Sequence, residues 1–468
     1  MMRTVAAASD IRALRDNAVQ LQEWRDDVRR ALAARHLVEI ASEMARCGCD
    51  LESLAIVGLP VDLLDCFPRW RDGARTPFRP GASGLRLAPS GAAVPLGTLR
   101  LQLSPAAGTI AYALALLRDL LVRLDPATSF LVVVEPGADH EALDHLAARM
   151  HPGANARVRF VPMRCATVFA QDNARAARDA EGRLVLLVPR GFRDGALRAE
   201  DALDPEEAAR AFGVPVRRSR LYWEGGNVVH DEQHGFVGVD TIAENVTRLG
   251  LARDEVAALF EAEFGLPVTP LGRAGTARFD PDAEDGGTSG QASFHVDLDV
   301  SLLGRFGSNR RPRALVADVA RGLDFAGDVL ASRRLTSGHF LSPRDIRRHL
   351  RAEYEACAAA RHPRLLEYAD TLSAAGYRAI GVPDLRVDPR MNVFGRVNLD
   401  FGYCNVLPGL WRGRPAVHHF VSGVRRLDAD AARCMRLAGI EPVAVSTPDT
   451  ASALRLLQGA LHCCCGSM

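Results

Sequence analysis

The chain contains no lysine, and all 58 of its basic residues are arginine. A lysine Schiff base is therefore excluded from its chemistry. The basic residues are matched by 57 acidic ones, which leaves a formal net charge of +1. With no excess of either sign, the composition does not predict nucleic acid or an anionic membrane surface as a partner.

Long apolar runs are missing too. No stretch approaches the roughly 20 apolar residues of a membrane-spanning helix, and residues 1–20 lack the unbroken apolar core of a signal peptide. We therefore expect a cytoplasmic protein with no membrane partner. In that compartment its ten cysteines are expected to be free thiols. The sequence gives no indication of the oligomeric state.

The segment "QGALHCCCGSM", residues 458–468, carries three consecutive cysteines directly after a histidine. Adjacent cysteines rarely bridge each other, because the geometry is poor. They are also badly spaced for tetrahedral zinc, which normally uses pairs separated by two to four residues. A metal site at residues 462–465 is thus less strongly indicated than a reactive thiol. The simplest alternative is that these thiols lie in a disordered tail.

The length of 468 residues, 48% of them hydrophobic, suffices for one large domain or two ordinary ones. Residues 10–46 carry apolar side chains at helical spacing, and residues 66–97 are rich in proline and glycine, as in a linker. We predict a boundary near residue 90. Residues 1–90 then form an N-terminal helical segment and linker, and residues 91–468 form a catalytic domain.

From residue 97 onward, strand and helix patterns alternate, which is typical of an α/β fold. No exact sequence repeat is present, but strand and helix units recur throughout. Strands are predicted at "TLRLQL", "SFLVVVEP", "ARVRFVP", "RLVLLVPR", "GFVGVD", "YRAIGVP" and "EPVAVST", and helices at "GTIAYALALLRDLLVRL", "DHEALDHLAARM" and near residues 242–264, 344–360, 364–376 and 428–438.

The stretch "ASFHVDLDVSLLG", residues 292–304, alternates apolar and polar residues. The pattern predicts a strand with Phe294 on its apolar face and with His295 and Asp297 side by side on the other face. A solvated strand edge is the plain alternative for this polar face.

Two further acidic residues occur in unusual surroundings. Asp172 lies in "VFAQDNARAA", and Glu224 precedes paired glycines in "LYWEGGN". Such glycines let the backbone turn tightly and come close to whatever the carboxylate holds. The plain alternatives are a turn cap for Asp172 and a surface ion pair between Glu224 and Arg220.

One chemistry links these segments to the cysteines. A cysteine is a strong nucleophile only as a thiolate, which a nearby cation favours, and histidine moves protons near neutral pH. Unpaired carboxylates are costly in a dry pocket unless the ligand is a delocalised cation that they bind through bidentate hydrogen bonds. A guanidinium group is such a cation, with a central carbon that sulfur can attack.

The motifs "FAQDN", "EGGN", "HVD" and "GALHC" occur in the order seen in the guanidino-modifying, or pentein, superfamily, which this chain resembles. The superfamily includes agmatine, arginine and protein-arginine deiminases and amidinotransferases. The "GxxHC" ending of the agmatine and protein-arginine deiminases aligns with Cys463. The resemblance spans roughly residues 97–468 and implies a five-bladed, pseudo-symmetric α/β propeller around a central pocket.

Within the superfamily the chain is most similar to the catalytic domain of protein-arginine deiminases. Gln171 precedes the acid, as in that family. "VPRGFRDG" is similar to its Pro-Arg-x-Arg segment, which implies that Arg190 and Arg193 contact a peptide substrate. The block "RVNLDFGYCNVLPG" implies that Asn405 lies near the site. Asn173 stands where that family has an acidic residue tied to calcium, which argues against calcium control.

The resemblance also implies a role for each residue of the site. Cys463 attacks the guanidinium carbon, Asp172 and Asp297 pair with its nitrogens, His295 moves the protons, and Glu224 holds the histidine. No metal or organic cofactor is required.

The resemblance leaves the substrate open. Hydrolysis of peptidyl-arginine to peptidyl-citrulline is our main reading. A small guanidino substrate is the alternative, because "EGGN" is a feature of agmatine and arginine deiminases. Two others stay open: an amidinotransferase, which passes the amidino group to an amine instead of water, and an inactive propeller used as a binding scaffold.

Overall fold

The computed structural model describes residues 84–103, 110–134, 145, 147–151, 153–162, 168–191, 213–279, 287–307, 311–332, 343–387, 400–446 and 460–467. The predicted N-terminal helix over residues 10–46, most of the proline- and glycine-rich segment, and Arg193 lie outside these residues. The predicted boundary near residue 90 therefore stays a prediction.

Within the described ranges, short strands alternate with helices. In chain order the strands are β1 (Arg86–Leu87), β2 (Thr98–Leu103), β3 (Ser129–Val134), β4 (Val158–Pro162), β5 (Arg175–Arg178), β6 (Leu184–Val188), β7 (Val216–Arg218), β8 (Val228–His230), β9 (Gly235–Gly238), β10 (Val268–Leu271), β11 (Arg278–Phe279), β12 (Gly287–Thr288), β13 (Val300–Gly304), β14 (Arg313–Asp318), β15 (Arg378–Leu385), β16 (Phe401–Gly402), β17 (Leu407–Trp411), β18 (Arg414–His419), β19 (Glu441–Ala444) and β20 (Gly466–Ser467). The helices are α1 (Ile110–Arg123), α2 (Val239–Leu249), α3 (Arg253–Phe264), α4 (Val319–Leu323), α5 (Ala326–Ser332), α6 (Pro343–Ala374), α7 (Arg425–Leu437) and α8 (Leu461–Cys464).

Five sheets in the described part of the chain repeat one topology. Each contains an antiparallel pair followed by a parallel third strand: β5-β6-β7, β8-β9-β10, β13-β14-β15, β17-β18-β19 and β20-β2-β3. The parallel step requires a crossover connection. The described residues of this connection include helices in four of the five units, namely α1, α2 with α3, α4 to α6, and α7. The recurring unit expected from the sequence is therefore present as topology, without an exact sequence repeat.

The last of these sheets brings together strands from distant parts of the sequence. Strand β20 pairs antiparallel with β2 through Leu99–Ser467 and Arg100–Gly466. Its neighbour β3 has the sequence SFLVVV, of which five residues are buried. β-Branched and aromatic side chains of this kind favour a strand covered on both faces. The leucine-rich helix α1 packs against this sheet within one hydrophobic cluster.

Two helix predictions differ from the structure at their boundaries. The region near 242–264 is two helices, because α2 ends at Gly250 with a left-handed φ of 64°. The two helices expected at 344–360 and 364–376 are one helix, α6, with Pro363 inside it. Proline disfavours a helix interior, but buried Leu365 and Tyr368 anchor the helix beyond it, so packing outweighs that cost.

The strand predicted over residues 292–304 is wrong in its first half. Only Val300–Gly304 is a strand, and Val296–Leu298 forms a 3-10 helix. Phe294, expected on the apolar face, is 48% exposed, whereas His295 and Asp297 are buried. Val296, Leu298 and Val300 are buried too, so the polar side chains face the interior without leaving these apolar ones outside. In the part of the chain that the structure describes, no helix is both long and apolar enough to cross a bilayer.

Candidate active site

Six of the predicted site residues occupy equivalent positions in the five repeated units. In each unit they lie just before the first strand of the antiparallel pair. Asp172 precedes β5, Glu224 precedes β8, His295 and Asp297 precede β13, Asn405 precedes β17, and Cys463 precedes β20. Equivalent ends of the repeated units meet in one place, so segments up to 291 residues apart come together.

Cys463 is buried, with 3% of its surface exposed, and Asn405 holds it from two sides. The Asn405 Nδ2 group donates to the Cys463 sulfur at 3.1 Å, and its Oδ1 accepts from the Cys463 backbone N–H at 3.2 Å. The sulfur lies 3.6 Å from Asp297 Oδ2, to which its S–H group donates. Asn405 therefore contacts the predicted nucleophile directly and fixes its position.

The pKa of the Cys463 thiol lies well above its usual value. Burial is the largest cause, and the charges of Asp297 and Asp172 add to it. Without a bound cation the sulfur is therefore a protonated thiol. A cation placed near both carboxylates would offset their charges and favour the thiolate.

His295 lies between two carboxylates. Its Nε2–H donates to Glu224 Oε2 at 2.6 Å, and its Nδ1 lies 4.0 Å from Asp172 Oδ1. Burial lowers the pKa of His295, but the Asp172 charge and the Glu224 hydrogen bond and charge outweigh burial and raise that pKa to about 9. His295 is thus an imidazolium at neutral pH, ready to donate a proton.

The paired glycines after Glu224 allow this close arrangement. A Cβ atom on Gly226 would collide with the His295 ring, and one on Gly225 would collide with the Gln171 carbonyl. The Gly226 N–H donates to Asp172 Oδ1 at 3.0 Å. The prediction that these glycines bring the backbone close to what Glu224 holds is confirmed. The alternative of a surface ion pair between Glu224 and Arg220 is wrong, because Arg220 pairs with Glu263 at 2.6 Å.

Asp297 is held by His462, the residue before the predicted nucleophile. The His462 Nδ1–H donates to Asp297 Oδ2 at 2.8 Å. Burial raises the pKa of Asp297, but the His462 hydrogen bond and charge outweigh burial, so that pKa lies below its usual value. The carboxylate is therefore ionised. Sequence reasoning considered His462 only as a metal ligand and missed this contact.

Gln171 forms hydrogen bonds with other residues of the site. Its backbone N–H donates to the Cys463 carbonyl at 3.1 Å. With its side-chain oxygen facing His462 and Arg175, it accepts from His462 Nε2 at 3.2 Å and from Arg175 Nη2 at 2.9 Å, while its nitrogen donates to the Cys465 carbonyl at 3.0 Å. These contacts within the protein explain why a glutamine precedes Asp172, with no need for a contact to the substrate.

Arg175 is a member of this cluster that the sequence analysis did not select. Its buried guanidinium donates to the carbonyls of Gly225 and Val228. Burial lowers the pKa of Arg175 to about 10, against the opposing effect of the Asp297 and Asp172 charges. Its place three residues after Asp172, in "QDNAR", was the available signal.

The three neighbouring cysteines have different surroundings. Cys463 faces Asn405 and Asp297, whereas Cys464 and Cys465 pack within the hydrophobic cluster of α1, β2 and β3. His462 is engaged with Asp297. The four side chains that a metal site would need thus do not converge. The disordered-tail alternative is wrong, because residues 461–464 form a helix and Gly466–Ser467 form a paired strand.

Of the two arginines assigned to a peptide substrate, one lies in the described residues. The Arg190 guanidinium lies over the Tyr222 ring, with 5.3 Å between Cζ and the ring centroid. Its backbone N–H donates to the Leu221 carbonyl at 2.9 Å. A role for Arg190 in substrate binding stays a prediction, and Arg193 lies outside the described residues.

Comparison with known proteins places the fold. No family model matches the chain, and no curated protein matches it. Solved structures do match. The agmatine deiminase of C. jejuni is 12% identical, with a TM-score of 0.50, over 83% of this chain and 98% of that one. The agmatine deiminase of Enterococcus faecalis is 13% identical, with a TM-score of 0.50, over 82% of this chain and 95% of that one.

These likenesses establish the fold. The chain is a five-bladed α/β propeller of the pentein type. The fold predicted from the four sequence motifs is confirmed, and the five repeated sheets are its blades.

Proposed function

We propose that the protein is a deiminase that hydrolyses the guanidinium group of a small molecule, agmatine or arginine, through a covalent intermediate on Cys463. The observation that carries this proposal is the pair of buried carboxylates, Asp172 and Asp297, beside one buried thiol. A dry pocket with two negative groups favours a delocalised cation. The thiol pKa also supports it, because a bound cation is what would turn this sulfur into a nucleophile.

The proposed reaction begins when the guanidinium binds between the carboxylates and the Cys463 thiol loses its proton to solvent. The thiolate attacks the guanidinium carbon and forms an S–C bond. His295, protonated because its pKa is about 9, donates its proton to one nitrogen, the C–N bond breaks, and neutral ammonia leaves. The carbon is then held on the sulfur as a thiouronium cation.

Water completes the proposed reaction. Neutral His295 takes one proton from a water molecule as its oxygen bonds to the thiouronium carbon. The C–S bond breaks, the second proton goes to the sulfur, and a ureido product leaves. Asn405, which donates to the sulfur at 3.1 Å, stabilises the charge on the sulfur in both steps.

A small substrate has better support than peptidyl-arginine. The matched structures include agmatine deiminases and one described as a peptidyl-arginine deiminase, so the preference rests on the site. The features that favoured a peptide are weaker in the structure. Gln171 is occupied by contacts within the protein, and Arg190 lies over Tyr222.

A substrate panel tests the proposal. The protein is incubated with agmatine, arginine and an arginine-containing peptide, and ammonia and ureido product are measured. We expect equal amounts of both products from agmatine or arginine, and much less from the peptide. Faster turnover of the peptide would restore the peptidyl-arginine reading. An amidino group passed to an added amine without release of ammonia would identify an amidinotransferase.

The His295 pKa gives a pH prediction. His295 must be protonated to release ammonia, so kcat/KM should fall as the pH rises through about 9. Glu224→Gln removes a charge-assisted hydrogen bond and should lower the His295 pKa by about one unit or more. The alkaline limb then moves toward neutral pH.

Two measurements check this shift: the NMR titration of His295 and the pH profile of kcat/KM. Glu367→Gln, which alters a surface ion pair with Arg273, serves as the control and should change neither. A His295 pKa that is the same in Glu224→Gln and in the wild type would contradict the assigned role of Glu224.

A further inference from the structure

A small polar cavity lies next to the proposed catalytic residues, further along the first strands of the blades. Its walls come from Arg175 at the start of β5, His230 at the end of β8, Ser301 on β13, and Asp297 and His462 of the site. The volume open to the centre of a water molecule is about 20 Å³. That space holds about one water-sized molecule.

Three buried polar atoms on these walls have no hydrogen-bond partner among the described residues. They are Asp297 Oδ1, His230 Nδ1 and Arg175 Nε. Asp297, His230 and Arg175 are 1%, 8% and 3% exposed. A buried polar atom without a partner is costly. Three residues that line one small space each carry such an atom, which points to a ligand that bonds to all three.

The hydrogen-bond roles of the three atoms define that ligand. Asp297 Oδ1 accepts and Arg175 Nε–H donates. Burial lowers the pKa of His230 to about 3, so its ring is neutral. Its Nε2–H donates to the Ala88 carbonyl at 3.0 Å, which makes Nδ1 an acceptor. The ligand must therefore offer at least two hydrogens and one lone pair.

The charges on the walls exclude an ion. Arg175 is cationic and would repel a small cation such as ammonium, while the Asp297 carboxylate would repel an anion. A neutral molecule is repelled by neither group, so the ligand is neutral. Water and ammonia have the right size, hydrogens and lone pair.

The carboxylate of Asp297 lies between the cavity and the sulfur of the proposed nucleophile. Asp297 Oδ2 lies 3.6 Å from the Cys463 sulfur, and the other oxygen of the same carboxylate is the atom without a partner. We propose that this cavity binds water in the resting protein and takes up the neutral ammonia released during turnover. The ammonia role rests on the proposed function, whereas the water site does not.

Crystallography tests the site without any need for activity. A high-resolution structure of the substrate-free protein should show a density peak about 2.7–3.2 Å from Asp297 Oδ1, His230 Nδ1 and Arg175 Nε. A cavity without this peak would overturn the proposal.

Isotope exchange tests whether the cavity takes up ammonia during turnover. Ammonia held next to the thiouronium intermediate can re-form the C–N bond, break the S–C bond and return the proton to His295. Reaction in ¹⁵N-ammonium should therefore place ¹⁵N in unreacted substrate. Ser301→Val fills the cavity on a strand that tolerates valine, while Ser301→Ala keeps the space open. We expect about fivefold less exchange per turnover in Ser301→Val than in Ser301→Ala.

The two tests separate the two proposals. Equal exchange in the two Ser301 variants, with both folded as judged by circular dichroism, would refute the ammonia role. A protein that shows the density peak but does not turn over guanidino substrates would refute the proposed function and the ammonia role, and would support the water site.

Discussion

Cys463→Ser should lower turnover by at least about four orders of magnitude, as removal of a covalent nucleophile does. The hydroxyl is a far weaker nucleophile, because its proton is much harder to remove than that of a thiol. The measurement is release of ammonia and of ureido product from the best substrate of the panel. A haloacetamidine, which pairs a guanidinium-like head with a reactive carbon, should label the wild type at Cys463 and leave Cys463→Ser unlabelled.

The neighbouring cysteines provide matched controls. Cys464→Ser and Cys465→Ser make the same chemical change one and two residues away. Both sulfurs are buried in an apolar cluster, so each hydroxyl should cost about 1–3 kcal/mol of folding free energy, seen as a lower Tm. Turnover per folded molecule should stay close to that of the wild type. An equal loss of turnover in all three variants would refute the assignment of Cys463, and no label on the wild type would favour a binding scaffold.

Asp172→Asn and Asp297→Asn should each lower kcat/KM by about a hundredfold to a thousandfold, because each removes a charge that binds the cationic group through the reaction. Asparagine keeps the shape of the side chain and loses the charge. Asp328→Asn, which removes a charged partner of the exposed Arg426, is the control and should leave kcat/KM within about twofold, as expected for an exposed pair.

The same two variants should change the rates at which two reagents alkylate Cys463, and in opposite directions. Because the Asp297 and Asp172 charges help to raise the Cys463 pKa, their removal lowers it and should speed alkylation by neutral iodoacetamide. Alkylation by a cationic haloacetamidine should become slower, since its binding site has lost a charge. If both reagents slowed together, the carboxylates would be acting through protein stability and not through charge.

Much of the fold was predictable because its strands and helices have strong local patterns. The apolar run of β3 and the leucine repeat of α1 each specify their structure with little outside help. The order of the blades and the closure of the ring depend on contacts between distant segments. No local pattern in "GSM" indicates that Gly466–Ser467 pairs with β2.

The site was partly predictable, and the errors in its prediction have a physical cause. Alternation at residues 292–300 does not tell which side faces the interior, and here Val296, Leu298 and Val300 are buried together with the polar side. Asp299, which shares that side, forms an ion pair with Arg361 at 2.5 Å. A buried ion pair and a ligand site therefore look alike in the sequence. Arg175 and His462 were missed because their partners are carbonyls and side chains from other blades.

The pairing of β20 with β2 has a consequence for how the protein matures. The Cys463 sulfur is carried by the short helix immediately before β20, so the strand that closes the ring also places the proposed nucleophile beside Asp297. A molecule whose ring is still open has a cysteine but no environment for it. The pairing of β20 with β2 is therefore what would complete the surroundings of the proposed nucleophile.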